Sequence, residues 1–155
     1  MCGINGIFAY APAANAVDRA ELLRVRDTMI ERGPDGAGVW TGDDGRIGLG
    51  HRRLAILDLS AAGAQPMHSA DGTLVVSFNG EIYNYPELRG DLERAGVEFR
   101  SHSDTEVLLH LYRRHGPAMV GRLRGMFAFA LWDARAHSLL LARDPHGIKP
   151  LYYAD

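Results

Sequence analysis

The chain has 155 residues, 46% of them hydrophobic, which suits one domain able to bury about two-thirds of its unfolded surface in a single core. Its 17 basic and 19 acidic residues are well mixed and leave a net charge of -2, so it carries neither a basic stripe for nucleic acid nor an acidic tail. One cysteine excludes an internal disulfide framework and a cysteine-rich zinc site, and no stretch approaches membrane-spanning length; a cytoplasmic protein acting on a small molecule or another protein is expected.

Residues 3–10 read as a short apolar strand. Asp18 with Glu21 three residues later makes a capping box for a helix through about Arg32, with Leu22, Val25, Met29 and Ile30 as its buried stripe. The segment 32–38, Arg-Gly-Pro-Asp-Gly-Ala-Gly, reads as a turn. Val39-Trp40, Ile47–His51 and Arg53–Leu57 then read as strands, the first two separated by a hairpin at 42–45. Leu74–Phe78 is a fully apolar strand that should end at Asn79-Gly80, a pair that readily takes positive φ. Pro86 opens a helix to about Ala95, and Ser103 with Glu106 caps another whose inward face is Val107, Leu108, Leu111 and Tyr112, closed by Gly116-Pro117. Met126–Trp132 and Ser138–Arg143 make a last hairpin. Runs of strands broken by a few helices point to antiparallel sheets covered by helices, an α+β architecture, with no internal repeat.

The single cysteine is Cys2, directly after Met1. Methionine is readily removed before so small a residue, and Cys2 would then carry thiol and α-amine together. An ordinary α-amine titrates near about 7.7–8.0 and a free thiol near about 8.5, so the amine can take the thiol proton at neutral pH. Taken alone, a small residue at a frayed terminus looks the same. Three other polar groups lie at strand ends or helix starts. Arg53 offers a planar fork for a carboxylate, or is a solvated charge beside an edge strand. Asn79 and Gly80 offer two donors to an anionic oxygen, or form a plain turn. Asp104 offers a carboxylate in a first helical turn, or only complements the helix dipole. Seven histidines form no helical pair flanking a carboxylate, and His110 and His115 show no acidic partner in the sequence, so no metal site is expected. No phosphate-cradling glycine motif occurs.

Met1-Cys2-Gly3-Ile4, Arg32-Gly33-Pro34-Asp35-Gly36, the run from His51 to Asp58, Phe78-Asn79-Gly80-Glu81-Ile82-Tyr83-Asn84 and Ser103-Asp104-Thr105-Glu106 together resemble the glutaminase domain of glutamine-dependent asparagine synthetases. Gly125–Ala130 and Arg143–Tyr152 continue the resemblance in the same order, so it spans the chain. It implies an N-terminal nucleophile hydrolase fold, two antiparallel sheets sandwiched between helices. It also implies roles: Cys2 as nucleophile, the Asn79 side chain and Gly80 N–H as oxyanion hole, Arg53 on the glutamine α-carboxylate, Glu81 and Asp104 on its α-ammonium, and backbone from Arg53 through Ile56 and Leu57 lining the pocket. The implied activity is hydrolysis of L-glutamine to glutamate and ammonia. Arg53-Leu-Ala-Ile-Leu-Asp58 followed by Gly63-Ala-Gln-Pro66 looks like the asparagine synthetase branch rather than sugar-phosphate relatives. Relatives amidating another carboxylate share the pattern.

The resemblance also makes residues 1–155 a type 2 amidotransferase domain lacking its last strands and the ATP-using synthetase domain, whose Ser-Gly-Gly-x-Asp-Ser motif is not in this sequence. No cofactor is therefore expected in this chain, with ATP and magnesium confined to a synthetase domain or subunit as partner. A missing strand would leave a sheet edge open to association, a homodimer included. A catalytically idle fragment or interaction module is the competing expectation.

Overall fold

A computed structural model describes all residues, 1–155. Seven strands and three α-helices follow in the order β1 (Gly3–Phe8), α1 (Arg19–Asp27), β2 (Gly36–Thr41), β3 (Ile47–Arg53), β4 (Met67–His68), β5 (Leu74–Ile82), α2 (Tyr85–Arg94), α3 (Asp104–His115), β6 (Gly125–Asp133) and β7 (Ser138–Arg143). The strands form two antiparallel sheets, β1-β3-β2 and β4-β5-β6-β7.

Alternation along the strands builds the layers. Ile47 and Leu49 of β3 meet Val75 of β5 and Ala130 and Trp132 of β6, a small core between the sheets. The opposite faces of β5 and β6, with Val76, Phe78, Phe127 and Phe129, pack against Leu88 and Leu92 of α2 and Val107, Leu108, Leu111 and Tyr112 of α3. Each such fully buried side chain contributes about 1.5–3 kcal/mol of transfer free energy. On the outer face of the first sheet, α1 buries Leu22, whose carbonyl accepts the Asn5 amide at 2.9 Å. The result is the αββα sandwich expected from the sequence. No helix is long and apolar enough to cross a membrane.

Two side-chain bonds tie the sheets together. Ser77 Oγ donates to the Gly50 carbonyl at 3.0 Å, and His51 Nε2 meets the Phe78 carbonyl at 3.0 Å. A carbonyl only accepts, so that nitrogen carries the ring proton. Burial pushes the His51 pKa down to about 4, and the ring is neutral at pH 7. These bonds set the register between β3, which ends at the site, and β5, which runs through it.

Several elements differ from the sequence expectation. α1 stops at Asp27 rather than Arg32, and Val25 and Ile30 are exposed, at 46% and 52%, with Met29 only partly covered. Asp18 caps Ala20 N–H at 2.8 Å, without the reciprocal bond from Glu21. Thr28 Oγ1 turns back to the Val25 carbonyl at 2.7 Å as the helix ends. At α3, Ser103 caps Thr105, while Glu106 reaches past it to the N–H groups of Arg100 and Ser101. The same Glu106 stands 3.5 Å from His110 Nε2, so that histidine does have an acidic partner, one turn away.

Arg53–Leu57 is not a strand. The ladders of β3 end at Gly3 opposite Arg52 and Gly36 opposite Arg53, and the backbone beyond has no strand to pair with. The segment expected as a turn over 32–38 gives its last three residues to β2. Asn79-Gly80 is no strand end either, because β5 continues to Ile82 in register with β6. Gly80 is required there by close approach: a Cβ would lie 2.2 Å from the Met126 carbonyl oxygen.

Candidate active site

Cys2 precedes β1 and is partly buried at one end of the sandwich. The Leu54 N–H donates to its Sγ at 3.4 Å, and the thiol lies 3.7 Å from the Leu54 carbonyl. Arg32 Nε donates to the Cys2 carbonyl at 3.4 Å. Cys2 is thus held by the backbone just past β3, the segment that leaves the sheet.

One pocket takes in Cys2, Arg53, Ile56, Leu57, Asn79, Gly80, Glu81 and Asp104, every site residue expected from the sequence. Asn79 and Glu81 belong to β5, on the strand face turned to the first sheet; alternation puts them on one side with Ser77. The neighbouring Phe78 N–H is taken by Gln65 Oε1 at 2.7 Å and the Ile82 N–H by Asp104 Oδ2 at 2.9 Å. The Asn79 carboxamide faces the pocket and belongs to neither bond.

Arg53 closes β3 and donates through both terminal nitrogens to the 58–60 loop, to the Asp58 carbonyl and, at 3.0 Å, to the Ser60 carbonyl. Two of its five N–H donors are spent in fixing the guanidinium, leaving three for a ligand. Asp58 anchors that loop. Its carboxylate accepts the Ser60 hydroxyl at 2.6 Å, the Ser60 N–H at 2.9 Å and the His102 N–H at 3.0 Å, and these bonds hold its pKa down near 2. The loop is thereby tied to the entry of α3.

Asp104 opens α3 and is buried. Desolvation pushes its carboxyl up to about 6, with the neighbouring Glu81 charge acting in the same direction. Glu81 and Asp104 therefore share a recess with the Arg53 guanidinium, beside Asp58 and Lys149, an arrangement that fits a zwitterionic α-amino acid. The sequence reading did not single out Asp58, Gln65 or Lys149 as site residues, while Leu54 falls within the Arg53–Leu57 backbone that it placed along the pocket. Leu54 acts through its backbone, which no side-chain pattern reveals, whereas Asp58 and Lys149 lie inside motifs already noticed and Lys149 is the chain's one lysine.

Two antiparallel sheets between helices make this the N-terminal nucleophile hydrolase fold. A solved glutamine phosphoribosylpyrophosphate amidotransferase of B. subtilis shares this fold at a TM-score of 0.78, 23% identical, over 95% of this chain and 38% of that one. The model of the glutamine amidotransferase domain family matches residues 1–155, and the chain belongs to that family of enzymes. It is 49% identical over 154 residues to glutamine-hydrolyzing asparagine synthetase 1 of Bacillus subtilis, covering 99% of this chain and 24% of that protein. It is 39% identical over 161 residues to Amidase chry2 of Gibberella zeae, again 99% of this chain and 24% of the relative. The chain spans about a quarter of the length of the curated relatives it matches.

Proposed function

We propose that this domain hydrolyses L-glutamine to glutamate and ammonia with Cys2 as its nucleophile. In this reading it supplies the ammonia to a cytoplasmic synthetase domain or subunit that makes asparagine from aspartate with ATP and magnesium. The observation that carries the reading is the convergence of Cys2 with Asn79, Gly80, Arg53, Glu81 and Asp104 in one pocket. Arg53 binds the α-carboxylate, and Glu81 and Asp104 bind the α-ammonium, which leaves the side-chain amide beside Cys2. With Met1 removed, the Cys2 amine takes the thiol proton and sulfur attacks the amide carbon. The oxyanion is held by the Asn79 carboxamide and the Gly80 N–H. The α-ammonium then protonates the departing ammonia, and the same amine draws a proton from the water that hydrolyses the thioester.

The test is product release. The chain, shown by intact mass to lack Met1, is expected to release glutamate and ammonia in equal amounts from glutamine, and a folded preparation that releases neither makes it a binding module. The similarity to Amidase chry2 supports a second reading of the acceptor alone, in which the same ammonia amidates a carboxylate other than aspartate.

The raised Asp104 pKa adds a pH dependence. Burial makes the charged form costly, so ionising Asp104 removes up to about 3 kcal/mol of stability as pH rises from about 4 to 6, offset when an ammonium binds beside it. Glutamine recognition needs the carboxylate. kcat/KM is therefore expected to fall about tenfold per pH unit below pH 6 through KM, and Asp104→Asn should weaken binding at pH 7 and remove that limb. A KM that stays constant from pH 7 to 5 removes Asp104 from the substrate site.

A further inference from the structure

Sixteen of the 17 basic residues are arginine; the one lysine, Lys149, is 4% exposed and lines the pocket that holds Cys2. Its Nζ lies 2.9 Å from Met1 Sδ, and a thioether is a weak, uncharged acceptor. None of the ion pairs in the fold includes it. A buried ammonium without a carboxylate is costly, so its retention at this place calls for a reason.

The backbone that carries Lys149 is fixed. Asp144 accepts the N–H groups of His146 at 3.1 Å, Ile148 at 2.9 Å and Lys149 at 3.0 Å, and also that of Phe127 in β6 at 3.2 Å. Arg143 Nε donates to the Lys149 carbonyl at 3.0 Å. The loop after β7 is thus locked to the strand beside β5, with its lysine turned to the start of the chain.

Resting on the glutaminase reading above, we propose that Lys149 is a positioning residue that acts by charge. Once Met1 is gone, the ammonium that met its side chain shares the pocket with the new α-amine and favours loss of one proton from the thiol and amine pair of Cys2. Lys149 itself exchanges no proton; the thiol proton goes to the amine. A positive neighbour disfavours the protonated amine and favours the thiolate, so both effects ready the nucleophile at lower pH. The other charges around the terminus are Arg32 from the turn after α1, Arg53 from β3, Asp58 from the loop, Glu81 from β5 and Asp104 from α3. Asp58 is occupied by Ser60 and His102 and Asp104 by Ile82, while His51 behind the site is neutral.

The test is alkylation of Cys2 by iodoacetamide, an uncharged probe needing no substrate site, from pH 5.5 to 10 on the chain freed of Met1. Lys149→Met is expected to react about tenfold more slowly than wild type at pH 7 and equally at pH 10, its acid limb displaced upward by about one unit. Lys149→Arg should stay within about twofold. A loss that is uniform across pH, or a lowered melting temperature alone, overturns the proposal. If the methionine variant does not fold, the wild-type limb decides: centred at the 7.7–8.0 or so of an ordinary α-amine, it overturns the proposal equally. Normal glutamate release with an unmoved limb in Lys149→Met rejects the inference and keeps the glutaminase reading. A displaced limb without glutamate release does the reverse.

Discussion

Cys2→Ala is expected to abolish glutamine hydrolysis while leaving glutamine binding in place. The side chain lies between the N–H and carbonyl of Leu54 and supports nothing in either core, so alanine removes the sulfur without disturbing β1 or β3. Losing the nucleophile of a covalent mechanism typically costs about 10⁴-fold or more in turnover, since positioning and oxyanion donors alone recover only a small part. The proposed recognition set, Arg53 with Glu81 and Asp104, is untouched. Glutamine should therefore still raise the melting temperature of the variant, because a ligand that binds only the folded chain stabilises it by mass action. Calorimetry and product release on one preparation check both halves. Turnover within about tenfold of wild type would pass the nucleophile's role to another group, and loss of the melting shift would mean that Cys2 helps shape the recess.

How much of this was readable from residues alone depends on what each signal reports. The inward face of α3 and the β6–β7 hairpin follow from local periodicity and hold as expected. The Arg53–Leu57 run failed because an apolar segment reads as a strand whether or not a partner exists, and β1 and β2 both leave β3 at Arg52 and Arg53. Freed from the ladder, the segment supplies Leu54 to Cys2. Asn79-Gly80 failed oppositely: a local turn signal was overridden by pairing with β6, which carries the strand through to Ile82. In α1, Val25 matches a helical stripe yet stays exposed for want of tertiary coverage, and Ile30 lies beyond the end of the helix at Asp27. The candidate residues that share one pocket came from the family resemblance of their motifs, since each taken alone reads equally as a turn, a cap or a surface charge. Their supports, Asp58 through Ser60 and Asp144 through its loop, bond mostly to backbone and leave no pattern of paired side chains to read.

Asn79→Ala is expected to lower kcat by about 10²–10³ with little change in KM, the signature of an interaction made only as negative charge develops on oxygen. In the proposed binding mode glutamine is held chiefly by its α-carboxylate and α-ammonium, several bonds from the amide, so binding should scarcely register the loss. Stability should change little as well, because the carboxamide takes part in neither of the bonds that anchor β5 beside it, Phe78 to Gln65 and Ile82 to Asp104. Gly80 offers no such clean test: any side chain meets the Met126 carbonyl and disturbs the β5–β6 pairing together with the N–H in question. Asn79→Asp supplies the complementary case. A carboxylate keeps the shape but repels the developing oxyanion, so its kcat should fall at least as far as that of the alanine variant at pH 7. If KM rises a hundredfold in Asn79→Ala while kcat holds, the carboxamide binds substrate in its ground state, and the oxyanion must then be stabilised by the backbone alone.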